Sequence, residues 1–231
     1  MIPFSEFDTR RYPTVDVTTG YGAWAKTYEG TVEDLMDIDL LERLSGPEWA
    51  SVRRAADLGC GTGRTGAWLR EKGARGVDGV DLTPEMLAIA EEKGAHESLR
   101  VGDATDSGLE GGAYDLVISS LIDEHLPDVG PLYAEAARLA RPGGWLVMVT
   151  FHPQFMITTG MPTHYTDTRG RSFTIATHLH LVSDHVKAAV AAGWQLREMH
   201  ESVVDDRWVE LKPKWAKFRS TPVSAVYAWQ K

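Results

Sequence analysis

Glycine occupies every second position of Gly59-Cys60-Gly61-Thr62-Gly63, just behind the apolar pair Ala55-Ala56 and Asp57. A helix-forming stretch, 65–72, follows at once. Glycine reaches φ > 0 without steric cost and has no Cβ, so a ligand can lie directly on such a backbone. A strand, a glycine loop and a helix in succession also aim a helix N-terminus and its free N–H groups at that ligand. The pattern predicts a strand ending at Asp57, a helix over 65–72 and a binding site where they meet.

Two kinds of ligand compete for such a loop. Gly61, Gly63 and Gly66 satisfy G-x-G-x-x-G, and Asp81 lies about 20 residues on, as the dinucleotide fingerprint asks. Asp57 argues the other way, because a carboxylate before the first glycine repels a pyrophosphate and attracts an ammonium. The pattern Asp-x-Gly-x-Gly-x-Gly resembles the cofactor loop of the class I methyltransferases, which use S-adenosyl-L-methionine (SAM). That resemblance favours SAM over NAD.

Composition narrows the partners. A net charge of −9 argues against a nucleic-acid substrate, since phosphate contacts need a basic surface. The basic stretch 212–219, with Trp215 and Phe218 inside it, reads as a solvated surface loop. One cysteine, Cys60, excludes an internal disulfide and fits a reducing compartment; among the glycines it reads as a small residue where size matters. No run approaches the ~18 apolar residues of a membrane span, and the N-terminus shows no signal-peptide pattern. These features predict a cytoplasmic protein with no membrane partner, and they leave the oligomeric state open.

Strand and helix patterns alternate from 52 to 150, which implies a parallel sheet covered on both faces. Strands are expected at 76–80, 99–102, 114–119 and 145–150, with helices at 84–93 and 129–140. Thr83 reads as an N-cap with Pro84 at N1, and Gly94 as the stop. No helix or strand is evident over 151–181, so this stretch reads as a lid or substrate loop. Ser183 reads as the cap of a helix to about 192, followed by strands at 195–204 and 224–229 with an insertion over 205–223. Thr31 reads as the cap of a helix whose Leu40, Leu41 and Leu44 pack on the sheet.

In an open α/β sheet, ligands sit beyond the carboxyl ends of the strands. Asp57, Asp81, Asp103 and Ser119 all fall at such ends. Asp81 suits the ribose hydroxyls of SAM, and Leu82 and Met86 suit the flanks of its adenine. Asp103, followed by Ala104, resembles the family segment that accepts from the adenine amino group. Further resemblance covers roughly 20–204. It rests on Tyr114-Asp115-Leu116-Val117-Ile118-Ser119, on Arg141-Pro142-Gly143-Gly144 and on the Tyr21–Glu29 segment, all similar to small-molecule methyltransferases of the ubiquinone/menaquinone type. It implies that Tyr21 or Tyr28 covers the sulfonium, the alternative being aromatic packing.

The expected fold is α/β: a Rossmann-like, seven-stranded, mostly parallel sheet with helices on both faces and the last strand antiparallel. One domain spans 1–231, with 1–50 as a cap and 151–181 and 205–223 as substrate-side insertions. The expected cofactor site comprises Tyr21, Tyr28, Asp57, Gly59, Gly61, Gly63, Asp81, Leu82, Met86, Asp103, Ala104 and Ser119, with no metal. Methyl transfer to a small molecule is the expected reaction, releasing S-adenosyl-L-homocysteine (SAH). His125 and His152 are the candidate proton acceptors, each with a structural reading as a hydrogen-bonded loop residue. A SAM-binding cyclase or sensor of the same fold is the alternative, and an NAD-dependent oxidoreductase a more distant one.

Overall fold

The computed structural model describes residues 2–231. Its central sheet contains β1 (Arg54–Leu58), β2 (Gly76–Asp81), β3 (Ser98–Val101), β4 (Tyr114–Ser120), β5 (Ala140–Phe151), β6 (Gln195–Val203) and β7 (Pro222–Gln230). They lie in the order β6-β7-β5-β4-β1-β2-β3. β7 alone runs opposite to the other six strands. Strand order reverses between β1 and β4, which puts the crevice for a ligand beyond their carboxyl ends.

The helices are α1 (Val17–Tyr28), α2 (Ile38–Leu41), α3 (Arg64–Glu71), α4 (Pro84–Lys93), α5 (Gly130–Leu139), α6 (Pro153–Thr159), α7 (Val182–Ala191) and α8 (Asp206–Leu211). Strands buried on both faces carry apolar residues on both, as Ala55-Ala56 of β1 and Leu116-Val117-Ile118 of β4 do. Side chains alternate between the two faces. Ala56 and Val117 join Leu132, Tyr133 and Leu139 of α5 in one core cluster. Ala55, Leu116 and Ile118 join Leu40, Leu41, Leu44 and the α3 residues Trp68 and Leu69 in another.

The structure corrects several local expectations. Residues 151–181 are ordered into α6 and short strands. His164–Thr166 pairs antiparallel with Ser172–Ile175, which pairs parallel with Thr14–Val15, and His178–Leu179 pairs with Ile2–Pro3. Two- to four-residue strands carry too little periodicity to be read locally, and apart from the His164–Thr166 and Ser172–Ile175 hairpin their partners are distant in sequence. The Thr31 hydroxyl donates to the Tyr28 carbonyl at 2.7 Å, so it ends α1 rather than starting a helix. Asp37 caps the short α2 instead. Ser183 lies inside α7, whose first N–H groups follow Leu181. Within 212–219 the basic residues Lys214, Lys217 and Arg219 are exposed, as expected, while Trp215 is buried on Trp208 and Phe155.

The glycine loop is held from both sides. Gly59 and Cys60 donate their N–H groups to the Val80 carbonyl at 2.8 and 3.0 Å. Beneath the loop, Asp57 is buried, and its Oδ2 accepts from His96 Nε2 at 3.2 Å. The His96 side chain is fully buried in space that glycines leave free. A Cβ on Gly79 would lie 2.8 Å from the imidazole, and one on Gly66 would fall inside its van der Waals surface. Gly66, which completes G-x-G-x-x-G, therefore serves packing of a histidine and not a pyrophosphate. Gly66→Ala should overpack this site and cost roughly 1–3 kcal/mol in urea unfolding. A variant as stable as the parent would contradict the packing role.

Candidate functional site

A cleft opens at the switch point between β1 and β4. Its floor is Gly59 and Gly61 of the loop, one wall is Asp81, Leu82, Thr83 and Met86, and Asp103 with Ala104 closes that end. The other end is formed by Ser120, Leu121, Ile122, His125 and Leu126, and α1 lays Val17, Tyr21 and Tyr28 across the top. A Cβ built on Gly61 meets nothing within 4 Å, so the loop presents bare backbone to the cleft.

Asp81 ties β2 to this loop. Its Oδ2 accepts from the Gly61 N–H and its Oδ1 from the Thr83 N–H, both at 2.8 Å. Burial raises the carboxyl above its ordinary range, against the pull of those two amides. Each oxygen keeps a lone pair for a ligand. Asp103 is fixed in its own turn, Oδ1 accepting from the Thr105 N–H at 2.8 Å and hydroxyl at 2.7 Å.

The far wall is uncharged. His125 Nδ1 lies 2.8 Å from the Ala176 carbonyl, which can only accept, so Nδ1 carries the proton. Nε2 is then the acceptor and takes the Tyr21 hydroxyl at 2.8 Å. Burial pushes His125 down to about 4 and raises both Tyr21 and Tyr28. The N-terminal segment is clasped to the loop: Glu29 accepts from the Thr62 hydroxyl and pairs with Lys93 at 2.7 Å. Arg64 at the start of α3 bridges Asp34 and Asp37 at 2.5 and 3.1 Å.

Comparisons with known proteins agree with this geometry. Residues 56–148 match a family model described as a methyltransferase domain. The chain is 34% identical over 110 residues to the chloroplastic tocopherol O-methyltransferase of Arabidopsis thaliana, covering 45% of this chain and 32% of that one. It is 37% identical over 135 residues to a malonyl-[acyl-carrier protein] O-methyltransferase of Serratia marcescens, covering 58% and 52%. A SAM-dependent methyltransferase structure from Mesorhizobium loti superimposes with a TM-score of 0.67 at 24% identity, over 85% of this chain and 98% of that one. Residues 56–148 thus match a methyltransferase domain, set in a fold shared with SAM-dependent methyltransferase structures. The chain spans about a third to a half of the length of the two curated relatives named.

SAM is the cofactor of this methyltransferase class, and the residues present suit it. Asp81 offers spare lone pairs to a diol, Gly61 offers open backbone, and the Ser120 hydroxyl is buried with no protein partner. Tyr21, Tyr28, Gly59, Gly61, Asp81, Leu82, Met86, Asp103, Ala104 and His125 all line the cleft. Four expected residues do not. Asp57 lies under the loop against His96, because the buried imidazole supplies its partner. Gly63 caps α3 at φ +79 and faces Ala90 and His96. Ser119 points away and donates to the Leu58 carbonyl at 2.8 Å. Strand alternation turns Ser120 to the cleft instead, a signal the sequence already held. His152 caps α6 through Nδ1 and meets Glu201 through Nε2 at 3.0 Å, so both nitrogens are engaged outside the cleft.

Asp81→Ala should keep the fold yet weaken SAH binding by about 10- to 100-fold, the worth of one or two charge-assisted hydrogen bonds. Calorimetry on the folded variant checks this. Unchanged affinity would remove Asp81 from the site.

Proposed function

We propose that this protein transfers a methyl group from SAM to a small-molecule acceptor. What carries the proposal is the polarity of the cleft, with carboxylates at Asp81 and Asp103 on one end and the uncharged Tyr21–His125 wall on the other. SAM supplies a methyl group activated on a sulfonium, and its displacement needs in-line alignment in a dry cavity. In this reading Asp81 accepts from the ribose hydroxyls and Asp103, beside Ala104, from the adenine amino group. Leu82 and Met86 flank the adenine. Gly59 and Gly61 carry the methionyl part, and Tyr21 and Tyr28 exclude water above the sulfonium.

The relatives' names specify transfer to oxygen, on tocopherol and on malonyl-[acyl-carrier protein]. A hydroxyl acceptor is the case that needs somewhere to put a proton. His125 Nε2 is the unprotonated imidazole nitrogen at the cleft wall, and the Nδ1–H bond to Ala176 keeps that tautomer in place. His125 takes the acceptor's proton in this reading, displacing the Tyr21 hydroxyl from Nε2. Residues 1–50 act as the cap and 151–181 as a substrate-side insertion, supported by the Glu29–Thr62 clasp and the Ala176–His125 bond. The insertion 205–223 packs Trp208 and Trp215 against Phe155 of α6. Among the described residues no helix is long and apolar enough to cross a membrane. A cytoplasmic setting is supported by the free, buried Cys60.

The pH dependence follows from the lowered His125 pKa. A base must be neutral to act, and a group pushed down to about 4 stays neutral through the range where an ordinary histidine, near about 6.5, would protonate. Turnover, read as SAH release with an identified acceptor, should stay level from neutral pH down to about 5 and fall only below that. His125→Ala should lower turnover about 10²- to 10⁴-fold while SAH still binds. A decline centred near pH 6.5, or full turnover in the variant, would remove His125 from the chemistry.

A further inference from the structure

A second cavity lies behind α1, walled by the segments added to the core. The 1–50 cap contributes Trp24 and Met36, 151–181 contributes Phe155, Met156 and Met161, and 205–223 contributes Trp215. The chamber measures about 130 Å³. That is close to the ~150 Å³ of an apolar cavity known to hold benzene. The Trp24 ring stacks on Tyr21 at 5.8 Å and meets Tyr28 edge-on at 5.1 Å. Both tyrosines line the cofactor cleft, so Trp24 backs them from the chamber side.

The chamber shares Met161 and Trp215 with a wider recess of about 350 Å³. Exposed Arg10, Lys214 and Lys217 line that recess, and among the described residues no acid lines either cavity. The chain as a whole carries a net charge of −9, so this cluster runs against its composition. Neighbouring bases are neutralised, Lys212 by Glu33 at 3.5 Å and Arg219 by Asp206 at 2.6 Å. Arg10, Lys214 and Lys217 form no ion pair among the described residues.

Arg10 sits where the two cavities meet. Its Nη2 donates to Met161 Sδ at 3.5 Å, and Met161 lines both. A thioether is a weak acceptor, so the guanidinium keeps its remaining donors for a better one. Asp8 does not supply it, because Asp8 Oδ1 is turned to the backbone N–H groups of Arg10 and Arg11 at 2.7 and 3.2 Å. The cations also reach His164 on the chamber wall: burial, and then the charges of Arg10 and Lys214, hold its pKa below the ordinary value. Apolar walls beside unpaired cations suit a ligand that has both parts, a body that leaves water and an anion that meets the guanidinium fork.

We propose that chamber and recess form one site for an amphipathic anion, and that this is the class of methyl acceptor offered to the cleft. The acceptor role rests on the methyltransferase reading above. The apolar body lies among the rings and methionines of the chamber. Its carboxylate or phosphate meets Arg10, with Lys214 beside it, and its far end lies against Trp24 on the side of Tyr21 and Tyr28. A neutral counterpart would leave these cations to water, and a cationic one would be repelled.

Ligand-observed NMR titration of the SAH-loaded protein tests this with 4-propylbenzoate, 4-propylphenyl phosphate and, as the neutral counterpart, 4-propylbenzamide. At least one anion should bind about tenfold or more tightly than the amide, by a margin that shrinks as salt is raised. Arg10→Gln combined with Lys214→Gln should remove that margin. Met36→Trp should fill the chamber and weaken every probe about tenfold, with SAH affinity held within about twofold in both variants. Interligand NOEs should join the propyl group of the bound anion to the homocysteine protons of SAH. An amide that binds as tightly as the anions, or an anion that neither variant weakens, overturns the site. NOEs absent with both ligands bound overturn the acceptor role. If SAH fails to bind the parent protein, the methyltransferase reading falls, and the same variants titrated without SAH still decide the anion site.

Discussion

The site stands on the hydrogen bond between Asp57 and His96 beneath the glycine loop. Both side chains are withdrawn from water, so each is the other's replacement for hydration, and removing either leaves a buried polar group unpaired. The imidazole is accommodated only because positions 66 and 79 lack a Cβ. A loop seated in this way keeps Gly61 at the end of β1 with its face open and its N–H turned to Asp81. The ligand contacts of the cleft therefore inherit their geometry from a packing arrangement that no ligand touches.

Above the loop, the site is completed by segments far apart in the chain. His125 follows β4, yet its tautomer is set by the carbonyl of Ala176 and its second nitrogen by Tyr21 of α1. Glu29 and Arg64 fasten the N-terminal residues to the loop and to α3. Water exclusion and proton placement thus depend on residues outside the strand–helix alternation of the core. Domains of this architecture carry different chemistries on one scaffold.

How much was legible in the sequence follows from the range of the forces involved. Strand and helix succession from β1 to β5 was readable because apolar runs, Pro84 at N1 and Gly94 at the helix end act within a few residues. The placement of Asp81 and Asp103 in the cleft followed from strand ends, whereas Met86 reaches it from the first turn of α4. Asp57 was misplaced because its partner, His96, is 39 residues away and announces itself by no motif. His152 was misplaced because Glu201, its partner, is 49 residues away. Ser119 and Ser120 differ only in which face of β4 they occupy, which alternation decides once the register is fixed.

The central claim is that the cleft over the glycine loop is built for a sulfonium nucleoside and not for a dinucleotide. Thermal unfolding of the parent protein with SAH and, separately, with NAD tests it most directly. At about 100 times the Kd, a bound ligand adds about 2.7 kcal/mol of apparent stability. SAH should raise the unfolding temperature and NAD should leave it unmoved. A shift with NAD and none with SAH would contradict the account.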